Sequence, residues 1–346
     1  MDAVAARSHG NPLFVGEFGR LLRTHSTIAP AELLVPEGIR TVIDHRVRRL
    51  WPPCRDLLTV AAVLGERFSG RVLAGCLGRE WSDLLDVIDE AVRARVVVAD
   101  DGGSLSFHFS HALLRDALYE SAPLARRLEL HDRAADALQT LGVDDDEAVA
   151  DLATHALRSI GKGDVDRAVA ACERAGERAM RRLAYERAAD YFGRAIEAAT
   201  QGDIGAGRRI ELVLARGDAL LAGNDLSGAR DRFVEAAVAA RAIGEPEALA
   251  RAALGFAAGL GGFEVRMFDN AQIALLDEAL EGLPVGDSGI RALLLARLSV
   301  AGSFLESIEQ REQLARSAVA VAWRAKDRHA FSPPPAGRRP AGPTWR

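Results

Sequence analysis

Two groups of residues have the types and spacing that catalysis or metal binding would use. Gly286-Asp287-Ser288-Gly289 imitates the nucleophile loop of a serine protease, but it lies between predicted helices with no predictable base nearby. His108 and His111 could supply two zinc ligands, with Asp116 or His131 as a third. Each group needs support from the elements that would position it.

Those elements do not favour a metal site. His108 alternates with Phe107 and Phe109 in a predicted strand and should face outward, whereas His111 begins a helix. The acidic run at residues 144–147 lacks the ligand spacing of an EF-hand. We predict that it is a solvated turn and helix N-terminus, where the helix dipole favours negative charge.

The chain lacks the signature of nucleotide hydrolysis. A P-loop requires G-x-x-x-x-G-K-[ST], whose backbone amides cradle phosphates while Lys and Ser or Thr meet phosphate and magnesium. The pair Gly161-Lys162 has Ala156 in place of the first Gly and Gly163 in place of Ser or Thr. No apolar strand before residue 96 ends in a metal-binding acidic pair. We therefore expect that the chain is not an enzyme and binds no cofactor alone.

Composition excludes several further classes. The 346 residues are 49% hydrophobic and 27% charged, with a net charge of -5, so the chain is globular and offers no strongly basic surface to nucleic acid. The longest uncharged stretch, Ala252 to Phe263, is shorter than the roughly 18 residues of a membrane-spanning helix. Three cysteines without a C-x-x-C pair indicate no disulfide framework, so we expect a cytoplasmic protein.

The first half of the chain alternates helices with one predicted hairpin. Asn11 can cap a helix whose first position is Pro12, and apolar spacing continues that helix over residues 12–23. Pro52-Pro53 ends one helix and starts the next. Short helices at 71–77 and 81–93 precede two strands, at 96–99 and 105–109, and a helix follows that ends near residue 121. This order predicts a winged helix, although the acidic segment 82–90 would repel DNA.

A repeat begins after residue 126, where every periodic segment is predicted to be helical. Gly176, Ala188, Phe192 and Ala195 recur 41 residues later as Gly217, Ala229, Phe233 and Ala236. Small residues at these positions let two helices approach closely while the aromatic ring fills the gap to the next hairpin. Gly259, Ala271 and Leu275 form a weaker third copy. The pattern predicts tetratricopeptide-like repeats; coincidental spacing in Ala-rich helices is the alternative.

Three ordered segments resemble a known family. They are G-N-P-L-F-V-G-E-F at 10–18, A-A-V-L-G-E-R-F at 61–68, and F-H-F-S-H-A-L-L-R-D-A-L-Y-E at 107–120 followed by A-R-R-L-E-L-H at 125–131. Together they resemble the second half of STAND-type ATPases, including large ATP-binding regulators of the LuxR type and ATPase modules of bacterial cyclases or kinases. In that family an AAA-like nucleotide domain precedes a helical lid, a winged helix and a tetratricopeptide-like sensor.

The resemblance implies a nucleotide contact at two positions. Pro12, in the G-x-P motif, would lie against adenine, and His111, in S-H-A-L, would point at the phosphates of ADP held by a separate AAA domain. A rigid proline and a hydrogen-bonding imidazole suit these roles. Alternatively, Pro12 only starts a helix and His111 only caps one.

The sequence thus predicts a mainly α protein. Its parts would be the end of an AAA lid at 1–30, a winged-helix domain with one β-hairpin at 31–125, a tetratricopeptide-like α-solenoid at 126–330 and a disordered Pro-rich tail at 331–346. The resemblance implies a regulatory or sensor portion of a nucleotide-switched ATPase or transcriptional regulator, with ADP or ATP as the nucleotide of the complete architecture. Its partners would be an AAA domain or another protein, and an unknown inducer or peptide on the solenoid. A tetratricopeptide-type interaction scaffold is the alternative, and neither direct DNA binding nor membrane contact is expected.

Overall fold

The protein is mainly α-helical. The computed structural model describes residues 43, 45, 47–100, 105–142, 145–258, 269–302 and 307–325. Within these residues it has fourteen α-helices and one three-stranded sheet. Contacts divide the chain into two compact units, residues 1–164 and 165–346. The predicted lid at 1–30 and tail at 331–346 lie outside the described residues.

The described elements of the first unit follow the predicted order. They are α1 (Pro52–Leu64), β1 (Arg67–Ser69), α2 (Gly70–Leu77), a 3-10 turn (Trp81–Leu84), α3 (Leu85–Arg93), β2 (Val97–Ala99), β3 (Ser106–Phe109), α4 (Ala112–Ser121), α5 (Leu124–Leu141) and α6 (Asp146–Arg158). Pro52 begins α1, where its missing N–H costs nothing. The acidic run supplies a helix N-terminus as predicted, because the Asp145 side chain accepts from the Ala148 amide at 2.7 Å.

The sheet has one strand more than predicted. Both neighbours of β3 are antiparallel, in the order β1-β3-β2, with Phe68 opposite Phe107 and Val97 opposite Phe109. The hairpin of β2 and β3 is present, but the prediction of a single hairpin missed β1. Three residues are too short for an alternating pattern, and β1 exists because Phe68 packs on the rings of Phe107 and Phe109 at centroid distances of 5.8 and 5.7 Å.

Helices α5 and α6 pack within the first compact unit. The contact-based division falls between Asp164 and Val165, and α5 packs on α1 and α2. A β-carbon on Gly75 of α2 would lie 3.0 Å from Cβ of Ala137, which shows how closely α2 and α5 approach. The domain limits predicted from the sequence, 31–125 and 126–330, stay predictions.

The second unit is a succession of helices packed on their neighbours in sequence. They are α7 (Val165–Arg181), α8 (Tyr185–Ala198), a 3-10 turn (Ala199–Gln201), α9 (Ala206–Ala222), α10 (Leu226–Ile243), α11 (Pro246–Phe256), α12 (Asn270–Gly282), α13 (Gly289–Ala301) and α14 (Ile308–Ala325). Nearest-neighbour packing of this kind is the construction of a helical solenoid.

The two strong repeat copies pack as the spacing predicts. A β-carbon on Gly176 would lie 2.8 Å from the Phe192 ring, and one on Gly217 would lie 2.8 Å from the Phe233 ring. The alanines of both copies are buried: Ala188, Ala195, Ala229 and Ala236. Glycine is therefore required in the first helix of each hairpin, because the aromatic ring of the second helix occupies the side-chain position.

The weaker third copy is matched at one of its two described positions. Gly259 lies outside the described residues, and Ala271 is exposed on α12, so it does not take the buried role of Ala188 and Ala229. The glycine that faces an aromatic ring here is Gly255, against Phe233. Leu275 is buried as predicted.

Candidate functional site

His111 stands at the junction of the sheet and α4. It is the N-cap residue of α4, with extended backbone angles (φ -149°, ψ 134°), and its side chain makes no capping hydrogen bond to that helix. His111 is thus at the cap position of α4, as the alternative interpretation has it, and the capping is by its backbone conformation rather than by a side-chain hydrogen bond. Pro12, the other residue of the predicted nucleotide contact, lies outside the described residues.

Ser110 fixes the turn that places His111. Its amide donates to the Val96 carbonyl at 3.0 Å, and its hydroxyl donates to the Arg95 carbonyl at 2.8 Å. These bonds tie the end of β3 to the residues that precede β2. The N-terminus of α4 is thus held by the sheet, with the partial positive charge that any helix of this length carries at that end.

An arginine and a tyrosine follow His111 at one-turn intervals along α4. Arg115 donates from Nε to the Ala62 carbonyl at 2.8 Å and from Nη1 to Asp116 at 3.1 Å. Its guanidinium carbon lies 5.0 Å from the Tyr119 ring centroid, and that of Arg127 lies 5.1 Å from the same centroid. The Tyr119 ring is therefore flanked by two guanidinium groups, one from α4 and one from α5.

The Tyr119 hydroxyl is within hydrogen-bond distance of one member of a buried pair of histidines. Its oxygen lies 3.1 Å from Nε2 of His131, and Nδ1 of His131 lies 2.8 Å from Nδ1 of His155. The two imidazoles are 1% and 3% exposed. The three side chains come from α4, α5 and α6, so the hydrogen bonds join three elements.

Burial keeps both histidines neutral. It is the main cause that lowers the pKa of His131 well below the ordinary value of 6.5, and the charges of His155, Arg158, Arg115 and Arg127 add to it. Burial also lowers the pKa of His155, with Arg158 and Arg115 adding to the shift. A charged imidazole would lose its hydration here and face two or more cations.

The proposed zinc ligands are not assembled. Nδ1 of His108 lies 2.6 Å from the Asp100 carboxylate, and His131 is engaged with Tyr119 and His155. In the part of the chain that the structure describes, no three His, Cys, Asp or Glu side chains are grouped to hold a metal ion. His108 does face outward, as its strand position predicted, with 36% of its side chain exposed.

The hydrolase-like loop is a helix cap. The Ser288 side chain accepts from the Arg291 amide at 3.2 Å at the start of α13, and Asp287 accepts from Arg324. A serine used in this way has its hydroxyl oxygen directed at a backbone amide rather than at a base. The arrangement gives no support to nucleophilic catalysis at this loop.

Sequence reasoning missed His155 altogether. The available signal was its place on the apolar stripe of α6, among Val149, Leu152 and Ala156. A polar residue on such a stripe must find a partner once buried. The partner, His131, could not be read from the sequence because it lies on another helix.

A second candidate surface lies on α10. Val234 and Val238 are one helical turn apart and are 44% and 57% exposed. The same helix buries Phe233 and Ala237 on its other side. These two exposed aliphatic side chains lie next to each other on the helix surface.

Comparisons with known proteins give limited guidance. No known family and no curated protein matches the chain. One similar solved structure is a signal transduction ATPase with numerous domains (STAND) that has a tetratricopeptide repeat sensor, from Pyrococcus horikoshii, with a TM-score of 0.39 and 12% identity. The match covers 95% of this chain and 54% of the other, so this chain spans about half the length of that protein. A likeness of this size assigns neither a family nor an activity.

None of the helices that the structure describes combines the length and apolar character needed to cross a bilayer.

Proposed function

We propose that the chain is the regulatory and sensor portion of a nucleotide-switched signalling ATPase of the STAND type and does not catalyse a reaction by itself. The observation that carries the proposal is the His111 imidazole, which stands at the N-terminus of α4 without capping it. A helix N-terminus with a hydrogen-bonding side chain suits an anionic group such as a phosphate.

In this proposal His111 contacts the phosphates of ADP that a separate AAA domain holds, and Pro12 lies against the adenine. The P-loop motif, whose backbone amides cradle phosphates, does not occur in the sequence, and this supports a role that depends on a separate nucleotide-binding domain. The helical repeats would bind an inducer or a peptide and thereby release the nucleotide contact. More specifically, we propose that the complete protein is a cytoplasmic transcriptional regulator of the LuxR type.

Calorimetry tests the nucleotide contact. ADP is titrated into the chain mixed with a separately produced P-loop domain of the STAND type, first with the natural chain and then with His111→Ala. Loss of one hydrogen bond to a charged group, worth about 1.5–3 kcal/mol, should weaken binding roughly tenfold or more. His108→Ala is the matched control, because it removes an imidazole that is bound to Asp100. Equal ADP affinity in the His111→Ala mixture would reject the contact.

A phosphate-release assay tests the absence of catalysis. The chain alone, with magnesium and ATP, should release no phosphate above the buffer rate. Turnover that scales with chain concentration and persists through repeated purification would contradict the proposal.

A second candidate function is a tetratricopeptide-type interaction scaffold, with the winged helix as an end cap. The exposed pair Val234 and Val238 on α10 favours it. Peptides selected for binding to the chain should bind Val234→Glu/Val238→Glu at least tenfold more weakly. Val285→Glu, at a fully exposed position, is the control. If the selected peptides bind the natural chain, the double variant and Val285→Glu equally well, Val234 and Val238 are not part of the peptide-binding surface.

A further inference from the structure

We infer that the outer face of α14 is an interface on which a second copy of this chain docks, with the two α14 helices side by side and antiparallel. The surface that forms this face is the α14 seam, and its members are Ile308, Glu312, Ala315, Val319 and Trp323. The inference concerns the second unit alone. It depends neither on the proposed nucleotide contact nor on the exposed valines of α10.

The α14 seam runs along one side of the helix. Its members follow one another at intervals of four, three, four and four residues, which keeps their side chains on one helix face. Ile308, Val319 and Trp323 are 68%, 48% and 72% exposed. Glu312 and Ala315, which lie between them, are exposed as well. Intervals of three and four residues are the spacing by which the helices of a coiled coil meet a partner helix.

The opposite side of α14 packs on α13. Val321 and Ala322 are buried and cluster with Ala292 of α13. Near the end of α14, the Arg324 guanidinium donates to the Asp287 carboxylate from Nε at 2.6 Å and from Nη2 at 3.0 Å. Because these contacts hold α14 by its inner side, the seam stays on the outside of the unit.

Helix α8 shows how a solvated helix face of the same unit is composed. The exposed residues of α8 are all charged, namely Glu186, Arg187, Asp190, Arg194 and Glu197. The last helix of a stacked helical array needs a polar outer face of this kind to stay soluble. α14 is the last helix that the structure describes, and its outer face carries an isoleucine, a valine and a tryptophan. A partner that covers the seam removes this apolar surface from water.

The charges of α14 favour a second copy in the antiparallel direction. Glu309 and Glu312 lie in the first half of the helix, and Arg316 and Arg324 lie in the second half. Arg311, the remaining charged residue of α14, is half-buried and donates to a backbone carbonyl of α13 at 3.0 Å. An antiparallel copy sets the acidic half of each helix against the basic half of the other, whereas a parallel copy sets like charges together.

A two-fold axis midway between residues 315 and 316 matches the seam with itself. Ile308 of each copy then lies opposite Trp323 of the other copy, and Glu312 lies opposite Val319. Arg316 of the other copy is within one helical turn of that position, so its guanidinium can pair with the Glu312 carboxylate. The side chain nearest the axis is an alanine, which lets the two helices approach closely.

The size of the seam sets the expected strength of the dimer. At 1.5 Å per residue, α14 is about 27 Å long. One face of such a helix offers less than the roughly 800 Å² per partner that a standard protein interface buries. We therefore expect a reversible dimer with a dissociation constant of about 10–100 μM.

Sedimentation equilibrium of the full chain tests the dimer. Between about 1 and 300 μM the average mass should rise from 37.0 kDa toward twice that value. Val319→Glu places a charge in the seam and should weaken the dimer by about tenfold or more. Val238→Glu is the matched control and should leave the dissociation constant unchanged, because that valine is similarly exposed but lies on α10. A mass of 37.0 kDa at every concentration, or equal weakening by the two variants, would overturn the interface.

Charge reversal tests the pairing across the axis. Glu312→Arg and Arg316→Glu each set like charges against each other between the copies, so each variant alone should dimerise about tenfold more weakly. An equimolar mixture of the two variants restores opposite charges between the copies and should associate more tightly than either variant alone. Single variants that dimerise as the natural chain does, or a mixture that associates no more tightly than they do, would overturn the pairing.

Cysteine cross-linking tests the direction of the two helices. The native cysteines, Cys54, Cys76 and Cys172, are buried, so a cysteine added to the seam supplies the accessible thiol. Ala315→Cys places the two added thiols next to the axis and should give a disulfide-linked dimer on air oxidation. Ile308→Cys places them at opposite ends of the interface and should not link to itself. A linked Ile308→Cys dimer would mean that the helices are parallel and would overturn the antiparallel interface.

Discussion

The ring of Phe233 occupies the place where a side chain on Gly217 would stand. A β-carbon built on Gly217 would lie 2.8 Å from Cε1 of that ring, and one built on Gly176 in the preceding hairpin would lie 2.8 Å from Cε1 of Phe192. Real β-carbons essentially never approach another atom below 3.0 Å. The interlock, and not a need for backbone freedom, explains why two helices of the repeat contain glycine.

Gly217→Ala should destabilise the protein by about 1–3 kcal/mol, because the added methyl group forces the Phe233 ring or α10 to move. The matched control is Gly207→Ala in the same helix, where a β-carbon would have no atom within 4 Å. Alanine there should be neutral or stabilising by up to about 1 kcal/mol. Urea unfolding followed by circular dichroism measures both; equal midpoints for the two variants would contradict the interlock.

Arg230→Lys should weaken the packing of α10 against α11 and α12. The guanidinium lies 3.6 Å from the Phe256 ring centroid, donates to the Phe256 carbonyl at 3.1 Å and binds Asp269 at 2.9 Å. A lysine ammonium cannot stack on the ring and make both bonds in this planar geometry. We expect a loss of about 1–2 kcal/mol in the free energy of unfolding.

Arg232→Lys is the control for that substitution. Arg232 pairs with Glu235 three residues along the same helix, and exposed pairs of this kind are worth less than about 0.5 kcal/mol. A loss in Arg232→Lys as large as in Arg230→Lys would mean that the Phe256 and Asp269 contacts add nothing.

Asp151→Asn should stabilise the first unit at pH 7. Burial, followed by the charges of Glu147 and Asp145, raises the pKa of Asp151 from 3.8 to about 6. Its ionisation therefore costs stability as the pH rises from about 4 to 6, and the full cost is present above pH 6. Removing the charge should gain about 1–3 kcal/mol at pH 7 and little at pH 4.

Thermal unfolding at the two pH values measures that gain. Asp231→Asn, at an exposed position of α10, is the control and should change neither melting temperature. A melting temperature of Asp151→Asn that equals the wild-type value at pH 7 would show that Asp151 is well solvated.

Asp100→Asn should loosen the sheet. Hydrogen bonds from Ser106 and His108, together with Arg67, hold the pKa of the Asp100 carboxyl below its usual 3.8. The stability that this carboxylate contributes is present above pH 4 and is lost as the pH falls through the lowered pKa. Amide exchange in β1 and β3 at pH 7 should rise in Asp100→Asn and stay unchanged in Asp83→Asn, whose carboxyl is exposed on the 3-10 turn. Equal amide exchange rates in the two variants would mean that the Asp100 carboxylate does not stabilise the sheet.

The sequence by itself determined the described elements whose causes are local. Proline at the start of α1, Asp145 as the cap of α6 and the apolar alternation of β3 act within a few residues, so their structure is readable without the fold. The spacing of Gly176 and Phe192 was equally informative, because the two residues contact each other within a single helical hairpin.

Only the tertiary structure decided the contacts that join distant segments. The strand β1 is three residues long and exists because β3 pairs with it, and the partner of His155 lies 24 residues away on another helix. Such pairings depend on how helices dock, which no local pattern records. His111 depends on both the sequence and the fold. Its sequence motif identified it as a candidate site residue, and the fold places it as the N-cap residue of α4 without a capping hydrogen bond from its side chain.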